Sequence, residues 1–261
     1  MSLCILLFLG ISSLVIPMVS QHTYHHIDVA AKNMPPSLLH WFGTDDLGRD
    51  LFVRIWCGAR ISLSVGLIVA CVDTLFGTLY GAIAALFGGK IDMLMMRFTD
   101  VLHSLPWLLI VILLAMFMPP SLTTTIIALT LTGWINMARM IRGDILKTQN
   151  EDFVKAAWIM GASRSRVLLR HLIPQTTASM MTMLTLTVPS AIFAESLLSF
   201  MGIGVRLPEA SWGLLAKEGL TALIYHPWRL FFPGAFISLT ILCCNLLGES
   251  IKKALNPLET A

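Results

Sequence analysis

Long apolar stretches are the feature of this sequence that most restricts its fold. Several runs of about 18 or more residues carry few or no charged residues, which is the length an α-helix needs to cross a bilayer core of roughly 30 Å. A water-soluble domain needs polar residues on every surface element, whereas 56% of the 261 residues are apolar and 13% are charged. The sequence therefore predicts a single all-α, polytopic membrane domain over residues 1–261.

Six apolar segments have the length of a spanning helix. They cover residues 3–20, 61–87, 101–118, 122–141, 176–203 and 229–248. A signal peptide is the alternative for the first segment, but no Lys or Arg precedes its apolar run and it has no convincing small-residue cleavage site. We interpret it as a span, which gives six transmembrane helices.

The positions of the cations orient these spans, because Lys and Arg are retained on the cytoplasmic side of a membrane. With the N-terminus inside, eleven of the 18 Lys and Arg residues lie in inner segments and the other seven in longer outer loops. The outer cations are Lys32, Arg49, Arg54, Arg60, Arg206, Lys217 and Arg229. Both termini are therefore expected in the cytoplasm.

Charge and cysteine content argue against a nucleic-acid-binding protein and against a protein held together by disulfides or zinc. The net charge of +3 is small and is not gathered in a basic tail, so nothing indicates a nucleic-acid partner. Four of the five cysteines lie inside apolar segments. Neither a disulfide framework nor a zinc site built on cysteines is expected.

The connection between the fourth and fifth spans, residues 151–174, is patterned although it is cytoplasmic. Apolar and small residues recur at three- and four-residue intervals, which predicts two short amphipathic helices. These positions are Phe153, Val154, Ala157, Trp158, Gly161, Val167, Leu168 and Leu172. Gly161 is expected to form the turn, Ser163 to cap the second helix and Pro174 to end it.

Periodicity alone leaves two interpretations of this hairpin open. Its apolar face fits the groove of a soluble partner. The alternative is an interfacial helix on anionic lipid, attracted by Arg164, Arg166 and Arg170.

The hairpin residues resemble the coupling motif of ABC importer permeases, which consists of Glu-Ala-Ala, a Gly at the bend and a closing Leu-Pro. The corresponding residues are Lys155, Ala156, Ala157, Gly161, Ile173 and Pro174, with Trp158 on the same helix. Lys155 replaces the usual Glu and reverses its charge, so any ion pair that the family makes there is in doubt. Ile173 replaces the usual Leu.

Three further blocks extend this resemblance over nearly the whole chain, most closely to the C-type permease subunit of oligopeptide and dipeptide importers. The first is 43–50 with Arg54 and 58–62, and the second is 87–92 with Met96, Arg97 and Asp100. The third is 194–204, followed by 211–213, Pro227, Trp228, Phe232, Pro233, 245–248 and 254–257. The order and spacing of these blocks, taken together, are specific enough to support the resemblance.

The resemblance implies one permease domain of a type I importer in a bacterial plasma membrane. Its expected partners are a second, similar permease subunit, two cytoplasmic ATPases that dock on the hairpin, an extracytoplasmic peptide-binding protein and the lipid bilayer. The chain has no Gly-x-x-x-x-Gly-Lys-Ser/Thr loop. We therefore expect no enzymatic activity and no cofactor on this chain, with ATP and Mg²⁺ held by the ATPases. Dipeptides and nickel are alternative substrates.

Functions of other classes have weaker support. A secondary carrier that works without ATP commonly shows an inverted repeat, and residues 1–120 and 121–261 show no convincing one. A membrane enzyme would need a catalytic constellation, and neither His-Glu-x-x-His nor Gly-x-Ser-x-Gly occurs.

Two carboxylates lie inside predicted spans, where a charge costs about 2.5–3.5 kcal/mol on insertion scales. Asp73, in the second span, either lines the path or is a protonated or hydrogen-bonded tie between helices, and we favour the tie. Glu195, near the outer end of the fifth span, either lies at a permease interface or gate or extends to the surface.

Two outer segments invite a functional interpretation. His22, His25 and His26 suggest a metal site, but they lie in one stretch with few other ligands, so we favour a solvated loop and predict no bound metal. The acidic and basic residues of 45–54 recur every three to four positions. This spacing predicts an amphipathic surface helix whose internal ion pairs contribute little to stability.

Overall fold

The structure, a computed structural model, describes residues 1–20, 22–205 and 209–255, and these residues form helices joined by loops, of which the connection from α1 to α2 is the longest. The helices are α1 (Ser2–Val19), α2 (Leu51–Phe87), α3 (Gly89–Ser104), α4 (Trp107–Phe117), α5 (Leu122–Thr148), α6 (Asp152–Ile159), α7 (Arg164–Val167), α8 (Ile173–Gln175), α9 (Thr177–Met201), α10 (Trp212–Thr221) and α11 (Trp228–Leu255). A 3₁₀ turn covers Val29–Ala31 and a π-helical turn covers Leu168–Leu172. The predicted all-α fold is confirmed. Arg206, Asn256 and Pro257, which the sequence analysis used, lie outside the described residues.

All six predicted spans lie on helices, but length and apolar composition do not fix their number at six. Within the described residues four helices qualify as spans by these two measures, namely α1, α2, α9 and α11, and α3 with α4 make a fifth if the bent pair is one span. The fourth predicted span lies on α5, a helix of 27 residues. Its threonines, Asn136 and Arg139 make α5 less apolar than α1, α2, α9 and α11.

The third predicted span, 101–118, is not one straight helix. Its residues are divided between α3 and α4, whose axes differ by 80°. Pro106 causes the break, because its ring forces the preceding residue out of the helical region, and Leu105 is extended with φ −77° and ψ 132°. With 11 residues, α4 rises about 16 Å, roughly half of a bilayer core.

The helix α2 packs closely on α5 because glycines face the contact. A Cβ at Gly81 would overlap the carbonyl oxygen of Ala138, and a Cβ at Gly77 would lie 2.6 Å from the carbonyl oxygen of Trp134. In a membrane, small residues let helix backbones approach each other where no hydrophobic force drives them together. The pair α2 and α5 therefore forms the centre of the bundle.

Two buried clusters mark the ends of this bundle, which we call the hairpin end, carrying residues 151–175, and the loop end, carrying residues 22–50. At the loop end Trp212 is fully buried among Ile55, Trp56 and Phe236, and its indole N–H donates to the carbonyl oxygen of Ile55 at 3.0 Å. At the hairpin end α2 and α5 pack against the hairpin. Each end thus has its own apolar core.

The Gly81→Ala variant tests the close packing of α2 and α5. The added methyl group meets backbone rather than a flexible side chain, so we expect the free energy of unfolding to fall by about 1–3 kcal/mol. The measurement is thermal unfolding of the purified chain in detergent. Gly143→Ala is the control, because a Cβ there has nothing within 4 Å. Equal stability of the two variants would contradict the packing described here.

Candidate functional site

The hairpin between α5 and α9 has the predicted bend. Helix α6 ends at Ile159, and Gly161 follows with φ +79°, a left-handed conformation that favours glycine. The side-chain oxygen of Ser163 accepts a hydrogen bond from the N–H of Arg166 at 3.4 Å and caps α7. The turn at Gly161 and the cap at Ser163 are therefore confirmed.

Pro174 does not end the second arm as predicted. The chain continues from α7 through the π-helical turn Leu168–Leu172 into α8, and Ile173 keeps helical angles of φ −57° and ψ −43°. The wider π turn accommodates the Pro174 ring and its missing N–H. The helical path is interrupted only at Thr176, with φ −87° and ψ 1°.

One apolar face of the hairpin is buried against its own chain. Its buried side chains are Val154, Ala157, Val167, Leu168 and Leu172, which pack against Ala82 and Ala85 of α2 and against Met137, Ile141 and Ile145 of α5. Only part of the predicted apolar surface is thus free for a partner. The buried part fixes the hairpin to the central helices.

The opposite face of the hairpin is exposed and still apolar. Ile159 is 86% exposed and Met160 is 80% exposed, and Phe153, Trp158 and Leu169 are exposed beside them. Lys155 and Ala156 are also exposed, and Lys155 forms an ion pair of 3.2 Å with Asp152 one turn earlier. Contiguous exposed apolar surface of this kind marks interaction sites.

Polar and cation–π contacts add to the attachment at the hairpin end. The Arg164 guanidinium lies 5.5 Å from the centre of the Phe87 ring at the end of α2. Arg142 of α5 forms two hydrogen bonds with Asp92 of α3, at 2.5 and 2.6 Å. The hairpin, α2, α3 and α5 are therefore linked into one body.

A cavity of about 350 Å³ lies between α2, α5 and α9, and Trp107 of α4 also lines it. Polar groups on its wall are Asp73, Thr132, Asn136, Thr187 and Ser190, and Met137 and Met183 are among the apolar ones. Gly133 also lines it, and the carboxylate of Asp73 lies where a Cβ of Gly133 would be.

Asp73 is 2% exposed, and its Oδ1 atom has no hydrogen-bond partner among the described residues. The hydrogen-bonded form of the tie favoured from the sequence is thus not formed, and its protonated form stays a prediction. A buried carboxylate without a partner is costly in the middle of a span. Its position on the cavity wall agrees with the other interpretation, a group that lines a path.

Glu195 is fully buried and does not extend to the surface, so that interpretation was wrong. Its carboxylate accepts hydrogen bonds from the hydroxyl groups of Ser62 and Ser199, each at 2.8 Å. Ser62 in turn accepts from the N–H of Trp212 at 3.3 Å. The carboxylate therefore ties α9 to α2 and to the start of α10.

The charged block at the loop end is a turn followed by the start of α2, and the predicted amphipathic helix over 45–54 is wrong. Gly43 and Gly48 have φ of +77° and +74°, and Thr44 pairs with Asp50 across the turn. Glycines in left-handed conformations close such turns. Arg54 alone among the charged residues of the block lies within α2.

Buried ion pairs hold this turn to α10, a contact that the sequence did not predict. Arg54 pairs with both Asp45 and Glu218, at 2.8 Å from the latter, and Arg49 pairs with Asp45 at 2.7 Å. The side chains of Asp45 and Arg54 are each 1% exposed. We call Asp45, Arg49, Arg54 and Glu218 the loop-end ion cluster.

The Asp45 carboxyl is kept ionised in spite of its burial. Desolvation acts to raise its pKa, but the charge of Arg54 and hydrogen bonds from the backbone N–H groups of Arg49 and Leu47 outweigh it and hold the pKa below the usual value. Because the pairs are buried, removing one partner leaves an uncompensated buried charge, which costs more than the loss of an exposed pair.

The three histidines of the early loop do not form one group. His25 and His26 are exposed, whereas His22 lies near His40 and Asp50, with the His22 and His40 ring centres 4.9 Å apart. His40 was not considered from the sequence because it lies well outside the stretch that holds the other three.

Comparison with known proteins identifies the family. Residues 77–259 match the family of the binding-protein-dependent transport system inner membrane component. The chain belongs to this family. It is therefore a membrane-embedded transport subunit of a system that, by the family's description, depends on a binding protein.

Relatives of this permease carry the names of peptide transport proteins. It is 50% identical to the dipeptide transport system permease protein of Bacillus subtilis over 98% of this chain and 80% of the relative. The identity is 47% with the oligopeptide transport system permease protein of the same organism, over 98% and 84%. With the oligopeptide permease protein of Escherichia coli it is 38%, over 98% and 85%.

The fold of the permease is that of ABC importer membrane subunits. An inward-facing structure of the MetNI methionine ABC transporter matches with a TM-score of 0.64 and 15% identity, over 78% of this chain and 95% of that chain. This likeness confirms the predicted importer-permease fold.

The Asp45→Ala variant tests the loop-end ion cluster. Removing this carboxylate leaves Arg54 buried with one counter-charge fewer, so we expect a loss of about 3–5 kcal/mol in the free energy of unfolding. The measurement is thermal or denaturant unfolding in detergent. Asp152→Ala is the control, because its pair with Lys155 is exposed on both sides, at 100% and 58%, and such a pair contributes about 0–1 kcal/mol. Similar losses in both variants would refute the assignment of the cluster as a buried tie.

Proposed function

We propose that this permease forms half of the translocation path of an ATP-driven peptide importer in a bacterial plasma membrane, with the hairpin as its contact to a cytoplasmic ATPase. The names of the relatives support peptides as the substrate class. The observation that carries the coupling role is the two-sided hairpin, one face buried against α2 and α5 and the other exposed and apolar.

The buried face would transmit movement. Closely packed side chains resist deformation, so a displacement of the hairpin moves the ends of α2 and α5 with it. The same two helices line the cavity that holds Asp73. ATP and Mg²⁺ would be bound by two partner ATPases and a second permease would complete the path, so that this chain contributes movement and lining but no hydrolysis.

The cavity wall suits a substrate of variable side chains. Hydroxyl and amide groups at Thr132, Asn136, Thr187 and Ser190 can bond to peptide backbone groups, and Met137 and Met183 adapt to different shapes. The carboxylate of Asp73 would pair with a cationic group of the passing substrate.

The orientation in the membrane follows from the role of the hairpin. With the hairpin end in the cytoplasm, both termini would be cytoplasmic and the loop end would face the binding protein.

Ile159→Asp tests the docking face. We expect the variant to fold normally and to recover less ATPase when the complex is purified through the permease, because a charge then enters an apolar contact. Ile224→Asp is the matched control, since Ile224 is 88% exposed beyond α10, against 86% for Ile159. ATPase recovery is measured per mole of permease.

Unchanged recovery with Ile159→Asp, or equal loss with Ile224→Asp, would remove the support for docking at this face. It would leave the lipid-bound interpretation of the hairpin.

Asp73→Asn tests the path. The neutral amide keeps the shape of the side chain, so we expect the complex to assemble with its ATPases while the rate of ATP-dependent peptide uptake falls about tenfold or more. That factor corresponds to the loss of a charge-assisted hydrogen bond of about 1.5–3 kcal/mol. Glu249→Gln, at an exposed carboxylate of α11, is the control. Uptake at the wild-type rate in Asp73→Asn would show that Asp73 does not meet the substrate.

A further inference from the structure

The structure brings together two imidazoles and a carboxylate from separate segments at the loop end. His22 follows α1, His40 lies in the loop before α2, and Asp50 is the residue that caps α2. One ligand atom of each side chain lies within 4.8 Å of the other two. We propose that His22, His40 and Asp50 bind a divalent transition-metal ion, with Zn²⁺ as the best match. This proposal does not depend on the transported substrate.

The chemistry of the three ligands selects the class of ion. Imidazole nitrogens and a carboxylate oxygen suit Zn²⁺, which is held at about 2.0–2.2 Å from such atoms in a tetrahedral arrangement. Ca²⁺ and Mg²⁺ prefer all-oxygen surroundings and are disfavoured by the two imidazoles. Three protein ligands leave a fourth position for water.

Hydrogen bonds to neighbouring groups already orient the carboxylate. Oδ1 of Asp50 accepts from the N–H of Val53 at 2.9 Å as the cap of α2, which directs Oδ2 to Nδ1 of His40 at 2.8 Å. The Val53 contact is an outer contact of the kind that fixes the direction of a metal ligand, whereas the His40 contact joins two of the proposed ligands and is replaced when the ion enters between them. The side chain of Asp50 is only 4% exposed and that of His40 is 15% exposed.

The backbones of both histidines are also held. The N–H of His22 donates to the hydroxyl oxygen of Ser20, and the N–H of His40 to that of Ser37, each at 3.1 Å. The side chain of His22 makes no hydrogen bond within the described part of the chain, so it is available for an ion. Closing the three atoms around one ion requires rotation of the side chains, because ligand atoms about 2.0–2.2 Å from a tetrahedral ion lie closer together than 4.8 Å.

The surroundings favour a bound cation. A cavity of about 500 Å³ beside His22 and Asp50 is walled by apolar side chains that include Trp41 and Phe52. These side chains offer no ligand atoms that would compete with the two imidazoles and the carboxylate for an ion. The nearby cations Arg49 and Arg54 are paired with Asp45 and Glu218, so they do not compete for Asp50.

Such an ion would cross-link the end of α1 to the start of α2. Because it binds the folded form, it adds to stability in proportion to the logarithm of its concentration above the dissociation constant. The site would therefore hold the loop of residues 22–50 in place at the loop end of the bundle when the metal is bound.

The test is metal binding by the full-length permease, stripped with a chelator and titrated in detergent with Zn²⁺, with Co²⁺ as a spectroscopic probe of tetrahedral coordination. We expect one site, a rise in the unfolding temperature with Zn²⁺, and at least about a tenfold loss of affinity in His22→Ala and in His40→Ala. His25→Ala and His26→Ala are the controls and keep full affinity, because both residues are exposed in the same loop.

The proposal is overturned if the wild type binds no Zn²⁺, if all five proteins bind it equally, or if His40→Ala alone loses affinity while His22→Ala does not. His22→Ala decides the matter should His40→Ala fold poorly, because loss of the His40 contact with Asp50 also weakens the cap of α2. If His40 and Asp50 only form an ion pair with each other, the wild type binds no Zn²⁺, which is the first of these outcomes.

Discussion

The close packing of α2 on α5 is the contact on which the other parts of the structure depend. It requires Gly77 and Gly81, because a side chain at either position would meet the backbone or the Cβ of α5. With 37 residues α2 is the longest described helix and rises about 56 Å. It reaches from the loop-end ion cluster, past the cavity at Asp73, to the hairpin.

Polar contacts hold α2 at the loop end and apolar contacts hold it at the hairpin end, whereas the region around Asp73 has a polar group unpartnered within the described residues. At the loop end Arg54 and Ser62 bind carboxylates of α10 and α9, and these buried groups are satisfied. At the hairpin end Ala82 and Ala85 contact the hairpin through apolar packing. Between them the Asp73 carboxylate retains an oxygen without a partner in the described chain. The arrangement leaves a costly buried carboxylate at the position where a substrate would pass, and the hydroxyls of Thr74 and Thr78 on the same helix also have no partner among the described residues.

The features that the sequence predicted correctly depend on residues only a few positions apart. The spacing of Val154 and Ala157, the glycine at 161 and the hydroxyl at 163 predicted the hairpin, because each of these signals acts within a few residues. The bend at Pro106 was also encoded locally, but the uninterrupted hydropathy of 101–118 favoured a straight helix over it. The glycines at 43 and 48 likewise indicated a turn, whereas the three- to four-residue charge spacing favoured a helix.

Contacts between distant segments could not be predicted in the same way. Arg54 and Glu218 are separated by 164 positions, and their pairing depends on how α2 and α10 meet in space. The same holds for His22 with His40 and Asp50, because the sequence suggested only the histidines adjacent to His22. The burial of Glu195 depended on hydroxyls of α2 and α9 whose arrangement no periodicity shows.

The central claim is that the hairpin and α2 form one body that an ATPase can move. The most direct measurement is the distance between spin labels at Met160→Cys on the hairpin and Leu75→Cys on α2, both exposed positions. It is made in a cysteine-free background in the assembled transporter, with and without ATP. We expect this distance to be the same in both states while the distance between the two permeases changes. A shift of the hairpin label relative to α2 upon ATP binding would contradict it.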